Sequence, residues 1–317
     1  MQNSEIVLYN LSKQAGKENY QYDRLYRNFY NRDFFIKAYT KIYKNDGSAT
    51  KGVNEETADG FGDEKMEFII KSLKDETYQP KPVRRVAIPK SNGKTRPLGI
   101  PTFTDRIVQE VCRMILDAIY EPVFSEYSCG FRENRSCHTA LTKIQRNFTA
   151  VNWFIEGDIK GYFDNINHQL LVSILRKKIK DERFIRLVWK FLRAGYVEDW
   201  KFNNTFSGTP QGGIISPILS NIYLNEFDEF VINELKPSFD LGKFSSQKIN
   251  PAYKKYQTRI YYLKKKIASC TDIKIRNEMI EEYQKKRKTL LTLPPYEPCN
   301  SSYKSLKYVR YADDCAP

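Results

Sequence analysis

The 317-residue chain has few metal-binding side chains. There are two histidines, His138 and His168, and none of the six cysteines forms a C-x-x-C pair. Structural zinc needs ligands at defined spacings, so the sequence argues against a zinc site. No run approaches the ~18 apolar residues of a membrane helix, and residues 1–20 are polar, without the apolar stretch of a secretion signal. Scattered thiols without such a signal fit a reducing, cytoplasmic setting, and no membrane partner is expected. Negative charge is also in deficit. Fifty-two Lys and Arg stand against 38 Asp and Glu, a net charge of +14. Such a chain attracts polyanions: nucleic acid first, an anionic membrane surface second. A merely soluble basic protein is the plain alternative.

Core-forming material is plentiful. Hydrophobic residues make up 41% of the chain, with 22 Tyr and 19 Phe, which excludes global disorder. At ~150 residues per domain, the length predicts two domains. Residues 20–45 read as one amphipathic helix. Tyr22, Leu25, Tyr26, Phe29, Tyr30 and Phe34 form its core face, while Arg24 and Arg27 are free to touch phosphate. Further helices are expected over 63–73, 104–120, 167–178, 182–193 and 216–235. The segments 84–88 and 95–100 read as strands joined by a hairpin turn at Ser91-Asn92-Gly93-Lys94, and 151–156 as a short apolar strand. Residues 237–306 are crowded with Lys and Arg, including Lys264, Lys265 and Lys266, over a helical apolar spacing. They predict two helices breaking near Thr271, either a solvated hairpin or a nucleic-acid-facing insertion. Residues 306–311 read as a strand running into Ala312-Asp313-Asp314 with nothing behind it to pair with, so the chain is expected to stop inside a structural unit.

Two carboxylate positions follow predicted strands: Asp158 in Phe154-Ile155-Glu156-Gly157-Asp158, and Asp313-Asp314 in Tyr308-Val309-Arg310-Tyr311-Ala312-Asp313-Asp314. Carboxylates at the ends of adjacent strands can share hard divalent cations, and magnesium prefers oxygen ligands while leaving sites for water and phosphate. Two ions ~3.5–4 Å apart suit phosphoryl transfer. Taken singly, an Asp-Asp pair is also a common surface turn and a lone Asp a common helix cap. Between them in the chain lies Gly208-Thr209-Pro210-Gln211-Gly212-Gly213, leading into Ile214-Ile215-Ser216-Pro217. Its glycines permit close backbone approach to a ligand, and its Gln211 amide can donate and accept.

In that order the three segments resemble motifs A, B and C of reverse transcriptases, and most closely those of group II intron-encoded reverse transcriptase/maturases. Ile88-Pro89-Lys90, Thr95-Arg96-Pro97-Leu98-Gly99-Ile100-Pro101, Gly130-Phe131-Arg132-Glu133-Asn134-Arg135-Ser136 and Ser216-Pro217-Ile218-Leu219-Ser220-Asn221 add to the likeness, which spans about residues 20–314. The resemblance implies an α+β fold, the fingers and palm of a right-hand polymerase with an antiparallel palm sheet. The fingers would cover 1–155, the palm 156–236 and 307–317, and a basic helical insertion 237–306.

The resemblance also implies roles. Asp158 and Asp313, with the main-chain carbonyl of Ile159, would hold two magnesium ions, manganese being the alternative ion; Asp314 would support them. Lys90 and Arg96 would hold the incoming triphosphate, and Gln211 and Gly212 would contact the nucleotide. Phe163 would pack under the sugar and exclude a 2′-OH, the other reading being a core aromatic. Arg132, Asn134 and Arg135 would lie near the template, with an internal salt bridge as the alternative for the arginines. The implied partners are intron RNA, an RNA template with its primer, dNTPs, and a DNA target reached through other domains. The thumb and those other domains are expected beyond residue 317, and the 317-residue chain alone is expected to be weakly active or inactive. Exposed apolar surface would favour a homodimer. An RNA-binding splicing module without polymerase activity, and a retron or defence-type reverse transcriptase, are the competing readings.

Overall fold

The computed structural model describes residues 2–89, 93, 95–149, 151–199, 201–205, 207–209, 212–241, 248–270, 272–297 and 304–316. In chain order the elements are α1 (Ser4–Gln14), α2 (Arg32–Tyr43), α3 (Asp63–Lys74), β1 (Val83–Pro89), β2 (Thr95–Ile100), α4 (Phe103–Tyr120) and α5 (Cys137–Asn147). There follow β3 (Gly157–Asp158), α6 (Tyr162–Asn165), α7 (His168–Lys178), α8 (Glu182–Leu192), β4 (Tyr196–Glu198), β5 (Lys201–Asn203) and α9 (Ser216–Phe230). The last are α10 (Lys236–Phe239), α11 (Pro251–Ser269), α12 (Ile273–Thr292), β6 (Val309–Tyr311) and β7 (Asp314–Ala316). The result is a mixed α+β fold. Among the described residues no helix is long and apolar enough to cross a membrane. The chain divides into two compact units, Met1–Asn233 with Lys307–Pro317, and Glu234–Leu306.

The first unit is organised around α4. Thr102 caps it, its hydroxyl accepting the Asp105 N–H at 3.2 Å. Ile107, Val108, Val111, Cys112, Ile115, Leu116 and Ile119 are fully buried, and the helix packs against α1, α2 and α9. Being surrounded, it also buries polar groups, and each of these is bonded. Asp105 accepts from Tyr78 Oη at 2.5 Å, and Arg106 donates to the carbonyls of Pro101 (3.0 Å) and Gly47 (2.9 Å). Two sheets flank this core. One has the order β2-β1-β4-β5, with β1 antiparallel to β2 and parallel to β4. The other is antiparallel, with the order β3-β7-β6.

Three local expectations are corrected. Residues 20–45 are not one helix. Arg24 takes a left-handed φ of 56°, Tyr26–Tyr30 is a 3-10 turn, and Asn31 interrupts the chain by accepting the Asp33 N–H and capping α2. The aromatic face is nevertheless core: Tyr22, Tyr26, Phe29, Phe34 and Phe35 are at most 4% exposed. Residues 151–156 are not strand. β3 begins at Gly157, because its neighbour β7 supplies only Asp314–Ala316, and Trp153 is 86% exposed. Nor is the strand before Asp313 left without a partner. The chain turns at Ala312 (φ 58°) and returns as β7, which pairs with β6 on one side and β3 on the other.

The helix expected over 216–235 is α-helical to Phe230 and widens to a π-turn over Val231–Leu235. The hairpin β4–β5 and helix α5 carry too few apolar residues to have shown as periodic patterns. In the second unit, α11 starts with Pro251 behind an Asn250 cap and α12 behind an Asp272 cap. The two helices pack together through an Arg259–Glu282 ion pair at 3.1 Å, which Lys286 joins at 3.5 Å. Sixteen Lys and Arg against seven Asp and Glu give residues 234–306 a net charge of +9, most of the chain's excess.

Candidate active site

The register of β3 on β7 sets Asp158 opposite Asp314 and Gly157 opposite Cys315. Directly opposed residues of an antiparallel pair project from the same face, so these two carboxylates share one side of the sheet, with Asp313 in the turn beside them. The closeness of β7 requires Gly157: a Cβ there would lie 2.9 Å from Cys315 Sγ. Burial, then the charges of Asp313, Asp158 and Glu156, raise the Asp314 carboxyl above its ordinary range. Among the described residues no three His, Cys, Asp or Glu form a ready-made metal cage. Carboxylate oxygens gathered on one side of the sheet are the donor type that a hard divalent cation takes, with water and phosphate oxygens completing its shell. The Ile159 carbonyl accepts the Tyr162 N–H at 3.2 Å, which leaves it a second lone pair.

After Ile159 the chain turns at Gly161 (φ 62°) into α6. Tyr162 donates its hydroxyl to the Ser220 carbonyl at 3.0 Å. Phe163, 8% exposed, packs edge-on against Tyr162 (5.4 Å between ring centres) and Phe131 (6.1 Å). The glycine-rich loop is fastened to the same turn. Thr209 N–H donates to the Phe163 carbonyl at 2.7 Å and Gly208 N–H to that of Ile166 at 2.8 Å. Gly208 has φ +84°, and a Cβ there would sit 2.5 Å from the Phe163 oxygen. Gly212 (φ +109°) presses against β2, where a Cβ would lie 2.5 Å from the Gly99 oxygen. Gln109 of α4 accepts the Ile214 N–H at 2.9 Å. Lys90 and Gln211 lie outside the described residues. Arg96 is exposed on β2 opposite Ile88.

The segment 129–135 backs onto the Asp-Asp turn. Cys129 N–H donates to the Arg310 carbonyl at 2.8 Å, and a Cβ on Gly130 would lie 2.2 Å from Ala312 N. Arg132 is the largest departure from the template-facing expectation. Its side chain is 3% exposed. It pairs with Glu121 at 2.8 Å and donates to the carbonyls of Ser125 (2.6 Å) and Ser128 (2.9 Å). Its fork is therefore consumed internally, the alternative that Arg chemistry always allowed. Arg135 donates to the Glu126 and Ser128 carbonyls, and Asn134 is exposed with φ 59°. Arg24 and Arg27 are exposed on the first unit, and Lys264, Lys265 and Lys266 on α11 of the second.

Sequence reasoning missed a buried network under the Asp-Asp turn. Arg310 Nε and Nη2 fork onto Asp228 at 2.8 and 2.6 Å, and Nη1 donates to the Ala312 carbonyl at 2.7 Å. Tyr308 Oη donates to Asp228 at 2.6 Å. Alternation along Tyr308-Val309-Arg310 was the available signal, since an arginine in the middle of an apolar strand needs a buried acid. His168 is 4% exposed and its Nε2 lies 2.6 Å from the Gly208 carbonyl. A cavity of about 300 Å³ opens beside the glycine-rich loop, lined by Arg85, Gly99, Asp164, Tyr196 and Thr209.

The sequence of residues 88–249 matches the family described as reverse transcriptase (RNA-dependent DNA polymerase). The chain is 49% identical, over 99% of its length and 52% of the relative's, to the group II intron-encoded protein LtrA of Lactococcus lactis subsp. cremoris. It is 42% identical to an uncharacterized 91 kDa protein in a cob intron of Schizosaccharomyces pombe, over 92% of this chain and 35% of that one. A putative COX1/OXI3 intron 2 protein of Saccharomyces cerevisiae is 37% identical over 87% and 31%. The chain thus spans about half, or less, of the length of these relatives. The carboxylates facing one another across β3 and β7, the loop clamped beside them and the matched sequence agree: this chain belongs to the reverse transcriptase family, with group II intron-encoded proteins among its relatives.

Proposed function

We propose that this chain carries the fingers and palm of an RNA-directed DNA polymerase encoded by a group II intron, and that the protein also binds its intron RNA as a splicing maturase. The observation that carries the reading is the register of Asp158 on Asp314, a carboxylate face beside Phe163 and the clamped glycine-rich loop. Residues 1–155 are the fingers, 156–236 with 307–317 the palm, and 237–306 a basic insertion.

Asp158 and Asp313, with the Ile159 carbonyl, would hold two magnesium ions, or manganese in their place; Asp314 would add negative charge beside them. Such ions, when bound, would supply activation of the primer 3′-hydroxyl and neutralisation of the leaving pyrophosphate oxygens. Arg96 and Lys90 orient the triphosphate of the incoming dNTP. Gln211 and Gly212 bound the nucleotide from the loop side, and the Phe163 ring meets the sugar where a 2′-OH would project. The RNA template and its primer run over the basic surface. Intron RNA is held chiefly through phosphate and 2′-OH contacts, for which Arg24, Arg27, Asn134, Arg135 and Lys264–Lys266 are the candidates. The +9 charge of residues 234–306 favours this second role.

The test is primer extension on an RNA template with magnesium and dNTPs, using the protein expressed to its natural stop codon. Asp158→Ala is expected to abolish synthesis. It is also expected to remove the rise in melting temperature that magnesium gives the wild type. Synthesis undiminished in Asp158→Ala would overturn the assignment. Intron RNA is expected to outcompete random RNA at raised salt, where purely electrostatic binding fades.

A further inference from the structure

Phe131 is a bulky residue in the left-handed region, with φ 56°. A side chain with a Cβ is strained there, and such strain persists only where the surroundings over-determine it. Here they do. On one side Gly130 is pinned: its carbonyl accepts from Asn221 Nδ2 at 2.9 Å, and Ala312 of the Asp-Asp turn lies against its Cα. On the other side Arg132 is locked into Glu121 and two carbonyls. The residue between these clamps is delivered to Phe163, the rings edge to face at 76° and 6.1 Å. Three rings meet here. Tyr162 is 5% exposed and Phe163 8%, whereas Phe131 is 50% exposed.

We propose that Phe131 is a positioning residue for sugar selection: it braces the Phe163 ring, so that discrimination against a 2′-OH is a property of the pair. The proposal rests on the reading of Phe163 as the sugar-facing side chain. It ties that wall to the carboxylates, because the same stretch of backbone packs against Ala312 and presents Phe131.

The experiment measures kcat/KM for a dNTP and for the matching rNTP in primer extension by the full-length protein. Wild type, Phe131→Gly, Phe131→Tyr, Phe163→Ala and the Phe131→Gly/Phe163→Ala double variant are compared. Glycine suits a positive φ, so Phe131→Gly deletes the ring while relieving the backbone. An edge-to-face pair accounts for about 0.5–1.4 kcal/mol, so rNTP use relative to dNTP use should rise about 2- to 10-fold in Phe131→Gly. Phe131→Tyr, which keeps the ring, should restore selection, and the double variant should match Phe163→Ala. Unchanged selection in Phe131→Gly beside loosened selection in Phe163→Ala sinks the proposal, as does a double variant in which the two effects multiply. Unchanged selection in Phe163→Ala is a different failure: the sugar-wall reading falls, and the brace with it. Should the glycine variant not fold, Phe131→Leu enters the same comparison.

Discussion

Asp228 and Arg310, 82 residues apart, meet in a forked ion pair with neither side chain more than 1% exposed. The pair joins α9 to β6 directly beneath the turn that carries Asp313. Burying two charges is costly, and it is sustained here by a full set of partners: Tyr308, Ser128, Asn221 and the Ala312 carbonyl. The contact with Ala312 gives the pair a say in where the carboxylates stand.

Asp228→Ala is expected to cost about 3–5 kcal/mol in denaturant unfolding, because it strands a buried guanidinium. Asp228→Leu combined with Arg310→Met should cost much less than the two single changes added together. Additive losses would mean that the pair is not coupled in the folded protein.

Burial, opposed by its bond to the Gly208 carbonyl, lowers the pKa of His168 below the ordinary histidine value. The neutral ring is therefore favoured on folding. The sign follows from linkage: this stabilisation is complete above about pH 6.5 and is lost as the pH falls from there through the lower folded value. The opposite trend is set by Asp117, which burial pushes up to about 6 despite Arg113 and Lys41. The difference between wild type and His168→Gln isolates the histidine. From pH 7 to pH 5 the wild type should lose more melting temperature than the variant, and parallel losses would refute the assignment.

Arg132 is expected to behave as a structural residue. Arg132→Ala should lower unfolding stability by about 2–3 kcal/mol, and Arg132→Lys should recover little, because an ammonium cannot reproduce the fork onto Glu121, Ser125 and Ser128. RNA affinity measured on the folded Arg132→Lys protein should stay within about threefold of wild type, whereas phosphate contact would make its loss large and salt-dependent.

The legible parts of the fold were those written in local periodicity. The apolar stripe of Ile107, Val111, Ile115 and Ile119 announced α4, and the turn residues between the segments 84–88 and 95–100 announced β1 and β2. What stayed hidden depended on remote partners. The apolar run at 151–156 looks like strand from within, yet strand needs a neighbour, and only Gly157 and Asp158 have one. The three residues of β7 carry no periodicity, so their role as the centre of a sheet could not be read from them. At the site, Asp158 and Asp313 were visible as residue types in a known order. Arg132 and Arg310 were not, because whether an arginine faces phosphate or a buried acid is decided by burial, which the chain reveals only when folded.

The pairing of Gly157 with Cys315 spans 158 residues, and that distance sets a clock. A ribosome adding about 5–20 residues per second needs about 8–32 s to reach Cys315 after Gly157 has been made. During that interval the strand carrying Asp158 has no edge to join. The helices around α4 are complete much earlier, so the scaffold is assembled first and the carboxylate face last. The face that sets Asp158 opposite Asp314 therefore cannot form until translation of β7 is finished.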